Sequence, residues 1–146
     1  MGVLFKNADI TIYNRYYDNN LGADMYQRAV IEGVNWQGKR NGSVTDKGLL
    51  LADSTLIFID KLDKYVSPKK FMKLTDEERK NHFTFNVGDK IVKGITDFEV
   101  TGVKPYRIAD LESEFDDVIN IKSVSPLSNH FEVEAYNGHY SKNPNR

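Results

Sequence analysis

The residue types that most often do chemistry are sparse and scattered in this chain. Its three histidines are His82, His130 and His139. None stands in His-x-His or His-Glu-x-x-His spacing, and the chain has no cysteine to complete a zinc set. The same lack of cysteine excludes disulfides, iron–sulfur clusters and a thiol nucleophile. Asp60 and Asp63 open like a calcium loop, but the glycine and the closing glutamate such a loop needs are missing. Glu77–Glu78 and Asp116–Asp117 are paired carboxylates. Sequence neighbours point to different sides of an element, so they read as solvation and capping charge rather than an acid/base couple. No Gly-x-Ser-x-Gly, Walker-type loop or Gly-x-Gly-x-x-Gly occurs, and Gly88-Asp89-Lys90 reads as a strand turn. The expectation is a protein without catalytic residues, cofactor or metal. A hydrolase would need carboxylates converging from distant parts of the fold.

Binding chemistry has more to work with. Tyr13, Tyr16, Tyr17, Tyr26 and Trp36 lie near Arg15 and Arg28, an aromatic–basic interleaving that stacks bases in some barrels. Core and strand-edge aromatics explain the same pattern more simply. The formal charge of −1 comes from 20 Lys+Arg against 21 Asp+Glu, which argues against a protein that coats nucleic acid by bulk charge. That balance hides a segregation. Residues 61–80 carry seven bases and four acids, and residues 97–117 carry seven acids and two bases. One reading is complementary contact between copies or with separate partners, through Lys69, Lys70 and Lys73 on one side and Glu112, Glu114 and Asp116 on the other. The other reading is two solvated helix faces.

The elements that must position these residues are short. Leu, Ile, Val and Phe make up 40 of the 146 residues, enough for a packed core. Asp9–Tyr16 alternates as a strand, with Ile10, Ile12 and Asn14 on one side. Tyr26–Trp36 is a second strand, and Gly33 within it suggests a bulge or a close backbone approach. Gln37–Gly42 reads as a turn into a return strand beginning at Ser43–Thr45, with the loop Gln37–Lys47 free to project. Leu49–Ile59 is a core segment, broken at Asp53–Ser54, whose last part, Thr55–Ile59, reads as a strand buried on both faces. Ser67-Pro68 starts a helix with an N-cap serine and proline in the first turn, anchored by Tyr65, Phe71 and Leu74. Thr75 and Glu78 have capping-box spacing. Phe83–Phe85, Lys90–Lys93 and Phe98–Thr101 read as further strands. Ile108, Leu111 and Phe115 share one helix face. Val118–Val124 and His130–Glu134 complete the set, with Phe131 and Val133 inward.

Seven or eight strands with Gly/Asn/Asp turns predict a mainly β fold. The expected form is a compact antiparallel β-barrel or sandwich with two short inserted helices, at about 68–81 and 108–115. The expected domain runs over 1–135, with a polar C-terminal tail at 136–146. No apolar run approaches the roughly 20 residues of a membrane helix. The start, with Lys6, Asn7 and Asp9 soon after Met1, lacks the pattern of a secretory signal.

An ordered series of motifs carries a resemblance. It comprises Asp9-Ile-Thr-Ile-Tyr-Asn14, Trp36, Ala52-Asp53, Ile57-Phe-Ile59, Pro68 with Phe71, and Phe83-Thr-Phe85. Gly88-Asp-Lys-Ile-Val-Lys-Gly94, Ile121-Lys-Ser-Val124 and Asn129-His-Phe-Glu-Val133 follow. Over about residues 8–135 this series resembles small structural proteins of tailed phages and prophages of Gram-positive bacteria, among the head–tail connector components. The resemblance implies a head-closure or stopper-like virion protein, made in the host cytoplasm. Such a protein forms a homo-oligomeric ring between portal or adaptor and tail, with incidental contact to packaged DNA and none to a membrane. A tail-terminator or tail-completion protein and a nucleic-acid-binding β-barrel are the alternatives.

Overall fold

The structure, a computed structural model, describes residues 5–39 and 54–137. Six strands are β1 (Ala8–Asp18), β2 (Ala23–Lys39), β3 (Ser54–Asp60), β4 (Lys90–Lys93), β5 (Val118–Pro126) and β6 (His130–Asn137). They close into an antiparallel barrel in the order β1-β2-β3-β6-β5-β4. The ring of pairings is closed, although β1 beyond Tyr13 and β2 before Asn35 pair on one side only. Three helices, α1 (Pro68–Phe71), α2 (Asp76–Arg79) and α3 (Ile108–Glu114), sit in the two long connections flanking β4. The predicted helix over 68–81 is thus two single turns. The Ser67 side chain accepts from Lys70 N to cap the first, and Thr75 and Glu78 form the expected capping box on the second.

The barrel interior is filled by alternating residues. Ile10 and Ile12 on β1, Ile57 and Ile59 on β3, Ile91, Ile119, Ile121 and Val133 all point inward and are almost fully buried. Gly33 adopts φ 82°, and β2 gains a residue against β1 between Ala8 and Ile10. That bulge is why Ile31 and Val34, three apart, both reach the core. A second bulge lies on β5, where Lys122 is the extra residue between Ile121 and Ser123.

The outer face of β1 and β4 is covered as well. Tyr13, Val92 and Val118 pack there against Val100 and Leu111, with Ile108 and Phe115 beside them. This second core explains why Ile10 to Asn14 are all buried. The helix face of Ile108, Leu111 and Phe115 is used as expected.

Four expectations fail, each for a local reason. Thr55–Ile59 is not buried on both faces: β3 alternates, with Thr55, Ile57 and Ile59 inward and its other face half-covered. Gln37–Lys39 is not a turn but continues β2 against Ser54–Leu56. Phe83–Phe85 forms no strand beyond a single parallel bridge from Phe83 to Tyr65. Its backbone is taken by a side chain instead: Asn14 Nδ2 donates to Thr84 O, and Thr84 N donates to Asn14 Oδ1. All three residues are buried, and Phe83, Phe85, Tyr65 and Phe131 form an aromatic plug. Phe98–Thr101 forms no ladder either, because Phe98 O accepts from the Tyr13 hydroxyl and Thr101 N donates to Tyr106 O. With these losses the strands among the described residues number six. The predicted return strand at Ser43–Thr45, most of the loop to Lys47, the first part of the Leu49–Ile59 segment, and the tail beyond residue 137 lie outside the described residues.

Candidate functional site

The charged lobes are placed unequally. Lys69 and Lys70 on α1 and Lys73 just beyond it are exposed and form no ion pair among the described residues. Arg79, from the same basic run, is withdrawn. It is buried, donates to Asp76 and to Leu74 O, and lies 3.9 Å over the ring of Tyr16. On the acidic side Glu112 is also withdrawn. It pairs with Lys90 at 2.8 Å, and Lys90 in turn donates to Asn120. Asp110 turns back onto the Arg107 backbone N–H and guanidinium, which together hold its carboxyl down at about 2. Glu114 and Asp116 remain exposed and without an ion pair among the described residues. Of the six residues proposed for an interface, five are therefore on the surface and available, and Glu112 is spent inside the molecule.

The structure adds partners that sequence spacing did not bring together. The connection after β4 and the end of α3 enclose an open groove of about 460 Å³. Its carboxylates are Asp97, Glu99 and Glu114, and its aromatic floor is Phe98, Tyr106 and Phe115. Phe98 is held edge-on by both other rings, at 5.5 Å from Tyr106 and 6.1 Å from Phe115. The Tyr13 hydroxyl anchors the floor from below by donating to Phe98 O at 2.7 Å. Burial pushes that phenol well above its ordinary range, so it stays a donor. Arg28 Nε reaches Glu99 at 3.0 Å from one side. All three carboxylates are exposed. Exposed carboxylates beside aromatic rings suit a cation better than proton transfer, which needs a desolvated acid.

Two further clefts are basic. One, of about 300 Å³, is lined by Arg28, Lys64, Lys80 and His82. His82 Nδ1 is hydrogen-bonded to Glu78 O. The other, of about 380 Å³, brings Arg15 and Lys122 together with Tyr26 and Tyr136. The aromatic–basic series predicted from sequence is otherwise dispersed: Tyr13 is buried, Tyr16 lies under Arg79, and Trp36 packs on the barrel core under Lys93. Among the described residues, no three His, Asp or Glu side chains come close enough to hold a metal ion. No helix among them is long and apolar enough to cross a membrane.

Residues 5–136 match a family of unknown function, DUF6751. The chain belongs to that family. No curated protein and no solved structure matches. DUF6751 has no assigned role.

Proposed function

We propose that the chain is a structural virion protein of a tailed phage. In this reading it is a head–tail connector component, head-closure or stopper-like, that forms a ring between portal or adaptor and tail. The ordered motif series supports this reading. So does a barrel that carries runs of opposite charge on two inserts. The observation that carries most weight is the placement of opposite charge on those inserts. Exposed lysines sit between β3 and β4, and an acidic, aromatic-floored groove sits between β4 and β5. A subunit with complementary patches on different parts of its surface is suited to head-to-tail contacts, which form a ring when the rotation closes.

Locating the protein in purified particles tests the reading. Quantitative mass spectrometry is expected to find a fixed multiple-copy complement per particle, and labelled antibody to mark the head–tail junction. Label on the tail side of a separated junction would favour the tail-terminator position instead. Absence from particles would overturn both. The cleft of Arg15, Lys122, Tyr26 and Tyr136 favours a second reading, binding of single-stranded nucleic acid by charge and stacking. That reading requires affinity for free oligonucleotides that falls steeply with salt, and a flat gel shift at low salt ends it.

A further inference from the structure

We infer that the acidic aromatic groove receives the lysine side chains of the α1 face, Lys69, Lys70 and Lys73, from a second copy of the chain. The inference rests on the reading of the chain as a subunit that assembles with its own copies.

The groove's chemistry defines its occupant. Phe98, Tyr106 and Phe115 line an open cleft of about 460 Å³ together with the carboxylates of Asp97, Glu99 and Glu114. A lysine fits both features at once. Its four-carbon stem covers apolar surface, and its ammonium is held by ring and carboxylate together. Arg28 answers one of the three charges, that of Glu99. Asp97 and Glu114 have no ion pair among the described residues, so about two positive charges are still to be supplied.

The chain carries that complement elsewhere. Lys69 and Lys70 lie on a single helical turn, and Lys73 N donates to Lys70 O in the next. All three are exposed without ion pairs among the described residues. None lines the groove of its own chain. Three other exposed bases are engaged, Lys80 with Glu77, Lys6 with Asp60 and Arg107 with Asp110, and exposed Lys64, Lys104 and Lys122 do not share a helical turn. Donor and acceptor faces belong to different connections of the barrel, so each copy can use both at once. Such a contact is heterologous and propagates from copy to copy.

The test uses the full chain as an equal mixture of unlabelled and 15N-labelled protein at low salt. A carbodiimide joins carboxylates to amines only where they touch. Mass spectrometry is expected to find links between labelled and unlabelled chains joining Lys69, Lys70 or Lys73 to Asp97, Glu99 or Glu114. Two exposed-residue variants, K69E/K70E/K73E and D97K/E114K, should each self-associate at least tenfold less. Mixing the two should restore association, because each then meets a face of opposite sign. Absence of these links in the unmodified chain, or their persistence at other sites with association unchanged in both variants, would overturn the inference. Its failure is distinct from failure of the connector reading. Links without virion incorporation remove the connector and leave the contact. Junction-bound protein lacking the links removes the contact alone.

Discussion

The carboxylate of Asp89 accepts a hydrogen bond of 2.7 Å from the side-chain amide of Asn14, and both residues are almost completely buried. Arg15 N and Asn86 N donate to the same carboxylate. Asn14 also clamps Thr84 through its backbone, so Asp89 sits at the centre of a polar node that ties β1 to the turn before β4. Burial outweighs the three donors and pushes the Asp89 carboxyl up to about 6 from 3.8.

The sign of the pH dependence follows. A folded-state pKa raised above the unfolded one means that the folded protein binds the extra proton between about pH 4 and 6. The stability this contributes is present below that window and is lost as pH rises through it. Asp110 and Glu78 act oppositely: their carboxyls are held low, so their contribution is lost in stronger acid. The contribution of these three carboxyls together should therefore be largest between the Asp110 and Asp89 transitions. Urea unfolding is expected to show about 2 kcal/mol less stability at pH 7 than at pH 4.5 from Asp89. Asp89→Asn should flatten that slope while lowering stability throughout, since an amide turns one N–H group toward donors. A midpoint that rises from pH 4.5 to 7 in the unmodified chain contradicts the assignment.

Thr84 gives a prediction of opposite sign to most core changes. Its side chain is fully buried, and its hydroxyl has no hydrogen-bond partner among the described residues. A buried hydroxyl without a partner costs about 1–3 kcal/mol relative to an apolar group of the same shape. Thr84→Val should leave the protein as stable or stabilise it by roughly 1 kcal/mol. Thermal unfolding checks this, and a clear loss would reveal a partner for the hydroxyl.

Much of the barrel was legible because local signals and tertiary packing agree. Ser67-Pro68 and Thr75–Glu78 are complete in a few residues each, so their caps appear where expected. The Gly33 bulge was readable because only glycine takes that backbone conformation easily. The Lys122 bulge had no such marker. Phe83-Thr-Phe85 alternates like a strand, yet its backbone bonds to Asn14, a partner far away in sequence. The surface followed the same rule. Lys69, Lys70, Lys73, Glu114 and Asp116, picked from charge runs, stand exposed, whereas Glu112 is consumed by Lys90 on β4. Asp97, Phe98 and Tyr106 gain meaning only once Tyr13 pins their loop above the sheet.

Gly33 tests the β1–β2 register. Its φ of 82° is strained for any other L-residue, and an added Cβ would stand 3.1 Å from Lys6 Cδ. Lys6 is itself held by Asp60 at 2.8 Å on β3. Gly33→Ala should cost about 1–2 kcal/mol from the backbone conformation. The expected readout is a lower urea midpoint with the slope unchanged. An unaffected midpoint would mean that β2 can place its bulge elsewhere.

Arg79 should behave as a core residue despite its charge. Its guanidinium holds Leu74 O and Asp76 and covers the Tyr16 ring, fastening α2 to the end of β1. Arg79→Lys keeps the charge but loses the planar fork and its stacking, and should cost about 1–2 kcal/mol. Arg79→Ala should cost more, because Leu74 O loses its donor as well. Chemical denaturation of both variants decides the order. Equal stability of the Lys variant and the unmodified chain would show that charge alone matters.

Tyr13 joins the barrel to the groove, so one atom there should change binding more than folding. Its ring is part of the second core with Val92, Leu111 and Val118, and only its hydroxyl reaches Phe98 O. Tyr13→Phe keeps the ring and its packing. It removes one hydrogen bond, worth about 1 kcal/mol, and leaves the Phe98 carbonyl to seek water. The backbone of Phe98 then loses its tie to β1, and the aromatic floor loses its fixed position beside Asp97 and Glu114. The variant should unfold cooperatively at a slightly lower midpoint. It should also yield several-fold fewer cross-links between Lys69–Lys73 of one copy and the groove of another. A variant destabilised to that extent but fully competent in cross-linking would show that the carboxylates act without the ordered rings beside them.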